Sequence, residues 1–206
     1  MKKSIFQQNK RYSFSDYFNL SHPVEEIVAE LGYQIQVEEI KFPILANIDM
    51  TVIHQLIKSY HQLLPKISFN SETAKREFLI APLLYQVVLK TDSKLNIEYP
   101  IDINDKLNGW LDYLIRSQQE IVVIEAKKGD LEKGFTQLAA EMIALDYYED
   151  EGQPSHLYGA ITIGEVWRFA VLDRKNKKIK KDINLFRFPQ DAQDLFAVLL
   201  GILTAI

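Results

Sequence analysis

The period of apolar positions changes repeatedly along the chain, and each change marks an element. "SHPVEEIVAELGY" has helical spacing, with Ser21 as a cap, Pro23 in the first turn and Gly32 as a stop. "YQIQVEEIKFPI" alternates polar and apolar residues and predicts a strand ending at Pro43. "DMTVIHQLIKSYHQLLP" predicts a helix that stops at Pro65. A further helix over "NSETAKREFLIAPLLYQVVL" has Asn70 or Ser71 as cap and a kink at Pro82. "KLNIEYPIDI" is a weak strand, followed by two strong ones, "GWLDYLI" and "EIVVIEAKK", around the polar turn "RSQQ". In "LEKGFTQLAAEMIALDYYE", Leu131, Phe135, Leu138, Met142 and Leu145 form one helical stripe. The strands "LYGAITI" and "EVWRFAVLD", a basic turn, "IKKDINLFRF" and a closing helix "PQDAQDLFAVLLGILTAI" complete the chain. The order α, β-β-β, α, β-β, α predicts an α/β fold with a mixed sheet flanked by helices.

The charges on the two strong strands stand out from this pattern. Alternation places Glu125 and Lys127 on one strand face with Ile121 and Val123. If the hairpin turn is centred between Gln118 and Gln119, Asp112 sits directly opposite Glu125 on that face. Cross-strand Cβ atoms lie about 5 Å apart, so the two carboxylates need a neutralising partner. A hard divalent cation such as Mg²⁺ supplies one answer; Lys127, as a structural ion pair, supplies another. On the preceding helix Glu72 and Arg76 share the stripe of Leu79 and Leu83. An inward Glu72 is therefore answered either by Arg76 or by a metal or water at the sheet.

Composition narrows the class. The chain has 206 residues, 47% apolar and 25% charged, which suits a single domain over 1–206. It divides into an extension over 1–66 and a core over 67–206 that includes the last helix. The absence of cysteine excludes disulfides, thiol nucleophiles and Cys-ligated zinc. The four histidines show no metal spacing. The sequence shows neither a secretory signal nor a segment for a membrane span, so a cytoplasmic protein is expected. A net charge of −4 argues against non-specific coating of nucleic acid but leaves room for a local basic surface.

Asp112, followed by Glu125-Ala126-Lys127 closing an apolar strand, resembles the PD-(D/E)XK nuclease superfamily with its restriction endonuclease-like fold. "SETAKREFLIAPLL" is similar to the first helix of the nuclease domain in type I restriction motor subunits, matched at Glu72, Arg76, Ile80 and Pro82. "GFTQLAAEMIAL" is similar to the later helix of such nucleases, which carries a glutamine at the position of Gln137. The resemblance covers roughly residues 70 to 188 and rests on the ordered set of motifs, since an isolated E-x-K is common. Leu111 stands where the name-giving proline would be, and no P-loop or helicase motif occurs, which implies a stand-alone module.

The resemblance implies an αβββαβ core and Mg²⁺-dependent hydrolysis of DNA phosphodiesters, with Mn²⁺ as a substitute. Asp112 and Glu125 would hold the metal, Glu72 would complete its outer shell, and Lys127 would orient or deprotonate the attacking water. Gln137 would reach the nucleophile or the backbone. Lys128 and Lys133 beside the site, and Lys175, Lys177 and Lys178 in "DRKNKKIKKD", are candidate phosphate contacts. The alternative is a catalytically silent nuclease fold serving as a DNA-binding or protein-interaction module. Trp110 and Trp167 are expected in the core. The closing helix either packs on the sheet or forms a homodimer interface.

Overall fold

Local chemistry sets the element ends. The computed structural model describes residues 4–45, 48–117, 120–125, 129–148 and 154–204. Short helices α1 (Phe14–Tyr17) and α2 (Val24–Glu30) precede strand β1 (Gln34–Glu38) and helix α3 (Thr51–Leu63). β1 stops short of the expected Pro43. Its last partner is Asp182, whose carboxylate accepts the N–H of Ile40 at 3.2 Å and so ends the ladder.

The helix after Ser71 is continuous but not uniform. Ser71 Oγ accepts the N–H of Ala74 at 3.1 Å and caps α4 (Glu72–Lys75). A π-helical turn over Arg76–Ile80 then leads into α5 (Ala81–Lys90), with Pro82 at its start. Proline lacks the N–H that a regular helix would use there, and the wider turn accommodates that loss.

β2 (Lys94–Asp102), β3 (Asn108–Arg116) and β4 (Glu120–Glu125) form an antiparallel meander. Helix α6 (Leu131–Tyr148) crosses over to β5 (His156–Thr162), which pairs parallel with β4. β6 (Val166–Asp173), β7 (Lys178–Asp182), β8 (Phe186–Arg187) and α7 (Ala192–Thr204) follow. The result is a mixed sheet in the order β1-β7-β6-β5-β4-β3-β2, with β8 on β6 and β1 parallel to β7. The N-terminal extension is thus part of the sheet and not an appendage.

Helices cover both faces. Phe14, Tyr17, Ile27, Phe135, Leu138 and Met142 from α1, α2 and α6 pack with Leu111, Leu114, Leu157 and Ile161 in a first core layer. Ile53, Leu83, Val87, Phe196 and Leu199 from α3, α5 and α7 pack with Tyr113, Ile115, Ala160 and Trp167 in a second. The apolar residues of α7 are therefore buried within the chain. Trp167 is fully buried, as expected, but Trp110 is 63% exposed and does not belong to either layer. Among the described residues, no helix is long and apolar enough to cross a membrane.

Candidate active site around Asp112

The β2–β3 ladder carries one irregularity, and Asp112 lies in it. Pairs Ile97↔Tyr113 and Tyr99↔Leu111 are formed, with Glu98 and Asp112 facing each other between them. Glu98 has φ +52°, a left-handed conformation that costs a non-glycine residue about 1–2 kcal/mol. The alternation of both strands turns over at this point. Leu95 and Ile97 lie on the side of the second layer, whereas Tyr99 and Ile101 belong to the first. Likewise Leu111 and Leu114 share the first layer, although an even number of steps should separate residues on one face. No residue is inserted, since the register is the same on either side.

The turnover brings consecutive residues Asp112 and Tyr113 to the helix that carries Arg76. Arg76 Nη1 lies 3.9 Å from Asp112 Oδ1, and Nη2 lies 3.7 Å from Glu98 Oε1. The guanidinium carbon stands 5.5 Å from the centre of the Tyr113 ring. Burial pulls the Arg76 pKa down, but the hydrogen bond to Tyr113 and the charge of Asp112 outweigh it, and the net direction is upward. Burial raises the Tyr113 pKa against the opposing pull of Arg76. Both ion contacts are longer than hydrogen bonds, so each holds the guanidinium loosely.

The hairpin register differs from the expectation. The formed pairs run from Tyr113↔Val123 to Arg116↔Glu120, so Asp112 is not paired with Glu125. The closing pair is Arg116↔Glu120, whereas the expected register pairs Arg116 with Ile121. β4 nevertheless continues beyond its pairing with β3, and Glu125 is in register with Thr162 of β5. Lys127 and Lys128 lie outside the described residues.

No family model matches the chain, and no curated protein matches it. The candidate residues therefore stand on their geometry.

Glu72 is exposed in the first turn of α4, and it is Arg76, one turn on, that reaches the sheet. A uniform helical wheel put both on the inward stripe, but the π-helical turn breaks the phase between them and Leu83. Gln137 is buried and donates from Nε2 to Glu141 Oε1 at 3.0 Å, one turn along its own helix. Lys133 is exposed in the first turn of α6, its backbone N–H donating to Asp130 Oδ1 at 3.0 Å.

Lys175, Lys177 and Lys178 lie at the β6–β7 turn, level with His156 at the start of β5. Asp112 lies towards the other end of the strands, beyond Tyr113↔Val123. Lys177 is engaged there, its Nζ 2.7 Å from Asp146 Oδ2 and over the Tyr33 ring. The structure thus brings Asp112 together with Arg76, Glu98 and Tyr113, and it separates the basic turn from them.

Arg76 stood in the sequence as a partner for Glu72 and as a matched position of the helix resemblance, and Glu98 and Tyr113 gave no signal. Glu98 sits in an otherwise regular alternation, so only the backbone reveals its position. Asp112 and Glu98 are hard oxygen donors of the kind Mg²⁺ takes. Among the described residues, no group of three His, Asp or Glu side chains is arranged to hold a metal ion.

Proposed function

We propose that the chain is a stand-alone endonuclease module of the PD-(D/E)XK type, which hydrolyses DNA phosphodiesters with Mg²⁺ or Mn²⁺. The observation that carries this reading is the position of Asp112. It occupies the middle strand of an antiparallel meander, at the point where pairing with β4 stops while β4 runs on to Glu125. The element order α5, β2, β3, β4, α6, β5 is the αβββαβ order that the resemblance implies. Arg76 meets Asp112 beside the Tyr113 ring.

In this reading Asp112 and Glu125 supply the oxygen ligands, a donor set that fits a hard cation. The bound metal would polarise the scissile phosphate and lower the pKa of a water. Lys127 orients that water and offsets the charge that develops on the phosphorane. Arg76, 3.9 Å away, offsets the charge of the Asp112 carboxylate before substrate arrives.

The test is nicking of supercoiled plasmid in Mg²⁺ or Mn²⁺ by the wild type and Lys127→Ala. The expected result is cleavage by the wild type and a rate lower by about 100-fold or more in the variant. Equal rates in both would sink the proposal.

The second reading is a silent nuclease fold that binds DNA or protein. It draws on the exposure of Glu72 and the burial of Gln137 against Glu141, which leave two expected site residues away from Asp112.

A further inference from the structure

A cleft of about 390 Å³ opens beside Asp112, lined by Thr73, Arg76, Tyr85, Ile97, Glu98 and Tyr113. Its size lies within the range of small-ligand sites. Three features of its walls point to one kind of occupant. The first is a guanidinium whose carboxylate contacts, at 3.7 and 3.9 Å, leave its N–H donors able to engage another oxyanion. The second is the ring of Tyr85, which is 47% exposed, together with Ile97 at 49%. A phenol and an aliphatic side chain, both open to water, thus border one cleft. The third is position, because Arg76 connects the cleft directly to Asp112.

We infer that this cleft is a subsite for one nucleotide of the DNA strand next to the bond that is cut. The inference rests on the nuclease reading of Asp112. The Arg76 fork takes the phosphate, a planar donor array matched to a phosphate edge. Tyr85 and Ile97 take the sugar and base by stacking and apolar contact.

Charge sets the order of events. Arg76 answers Asp112 and Glu98, and Glu77 also borders the cleft, so the cleft without a cation repels phosphate. Once Asp112 takes a metal ion, Arg76 keeps the hydrogen bond with Tyr113 and the contact with Glu98, a carboxylate 66% exposed and screened by solvent. The guanidinium is then released to a phosphate. Occupation of the subsite therefore requires a divalent cation.

The test is anisotropy of a fluorescein-labelled DNA duplex and of its single strand, titrated with the full-length protein in Ca²⁺ over a series of salt concentrations. Ca²⁺ takes the same hard oxygen ligands. The variants are Arg76→Gln, Arg76→Lys and Tyr85→Ala, each checked for folding by thermal melting. Arg76→Gln is expected to raise Kd about tenfold and to make the log–log salt slope shallower by about 0.9 on duplex, the loss of one phosphate contact. Arg76→Lys falls between it and the wild type, because it keeps the charge and loses the fork. Tyr85→Ala weakens the single strand about tenfold and the duplex less, since only an unpaired base is free to stack.

Wild-type affinity in both Arg76→Gln and Tyr85→Ala overturns the subsite, as does weaker binding by Arg76→Gln with an unchanged salt slope. If plasmid is cut while these variants bind normally, the subsite falls and the nuclease reading stands. If the variants lose affinity and no metal supports cutting, the nuclease reading falls and the cleft stands as a DNA-binding site. A wild type that binds neither oligonucleotide overturns the subsite and leaves the cleft to a protein partner.

Discussion

Glu98 holds φ +52° in the middle of a nine-residue strand, and a residue with a Cβ keeps that conformation only where its surroundings fix it. Its surroundings here are the ladder pairs on either side and the Arg76 guanidinium. Replacement by glycine relieves the backbone, whereas alanine keeps the strain and removes only the carboxylate. Glu98→Gly is therefore expected to be more stable than Glu98→Ala by about 1 kcal/mol in urea denaturation. Equal stabilities would show that the left-handed conformation stores nothing. At this scale the sequence was legible for Asp112, whose charge interrupts an apolar strand, and for Arg76, one turn after Glu72. It was silent on Glu98, because alternation continues in the sequence while the backbone turns over. Trp110 misled for a similar reason. It lies in an apolar strand but is 63% exposed and belongs to neither core layer.

Elements were easier to read than their registers. The stripe of Leu131, Phe135, Leu138, Met142 and Leu145 predicted α6, and all but Leu131 are fully buried. The hairpin shows the limit. A polar run marks a turn, but the residue at its centre is set by the closing pair, Arg116↔Glu120, which local composition does not specify. The π-helical turn is similar, because Pro82 signals a disturbance without giving its form. Helix α7 offers a direct test of packing. A Cβ at Gly201 would lie 2.1 Å from the carbonyl oxygen of Pro43, a backbone atom that has no rotamer by which to retreat. Gly201→Ala is expected to destabilise the protein by about 1–3 kcal/mol, measured by chemical denaturation. A neutral result would mean that α7 does not dock on the segment at Pro43.

The whole molecule is a sheet with two covered faces, and the charges around it fall into local groups. At one such group Glu132 joins Arg168, 2.6 Å away, and Lys181. Burial raises the Glu132 pKa, but the hydrogen bonds from Lys181 and Arg168 outweigh it, and its pKa falls below the ordinary 4.5. A carboxylate with a depressed pKa contributes stability above its unfolded pKa and loses it as pH falls through the folded one. The stability advantage of wild type over Glu132→Gln is thus constant well above pH 4.5 and shrinks below it, as thermal melts across that range would record. An advantage that persists at lower pH would contradict the ion-pair account. The parallel pairing of β1 with β7 was not legible, since it joins residues 34–38 to 178–182 across most of the chain. Long-range pairing of this kind leaves no local pattern. The same pairing makes the first 66 residues part of the fold that holds Asp112.

On the proposed function, Asp112 serves a metal-dependent hydrolytic site. It is tested most directly by single-turnover cleavage of supercoiled plasmid, with wild type and Asp112→Asn compared in Mg²⁺ and in Mn²⁺. The expected result is cleavage by the wild type, a rate at least about 100-fold lower in the variant, and a retained cooperative melt. Cleavage at the same rate by both proteins, or none by the wild type with either metal, would contradict it.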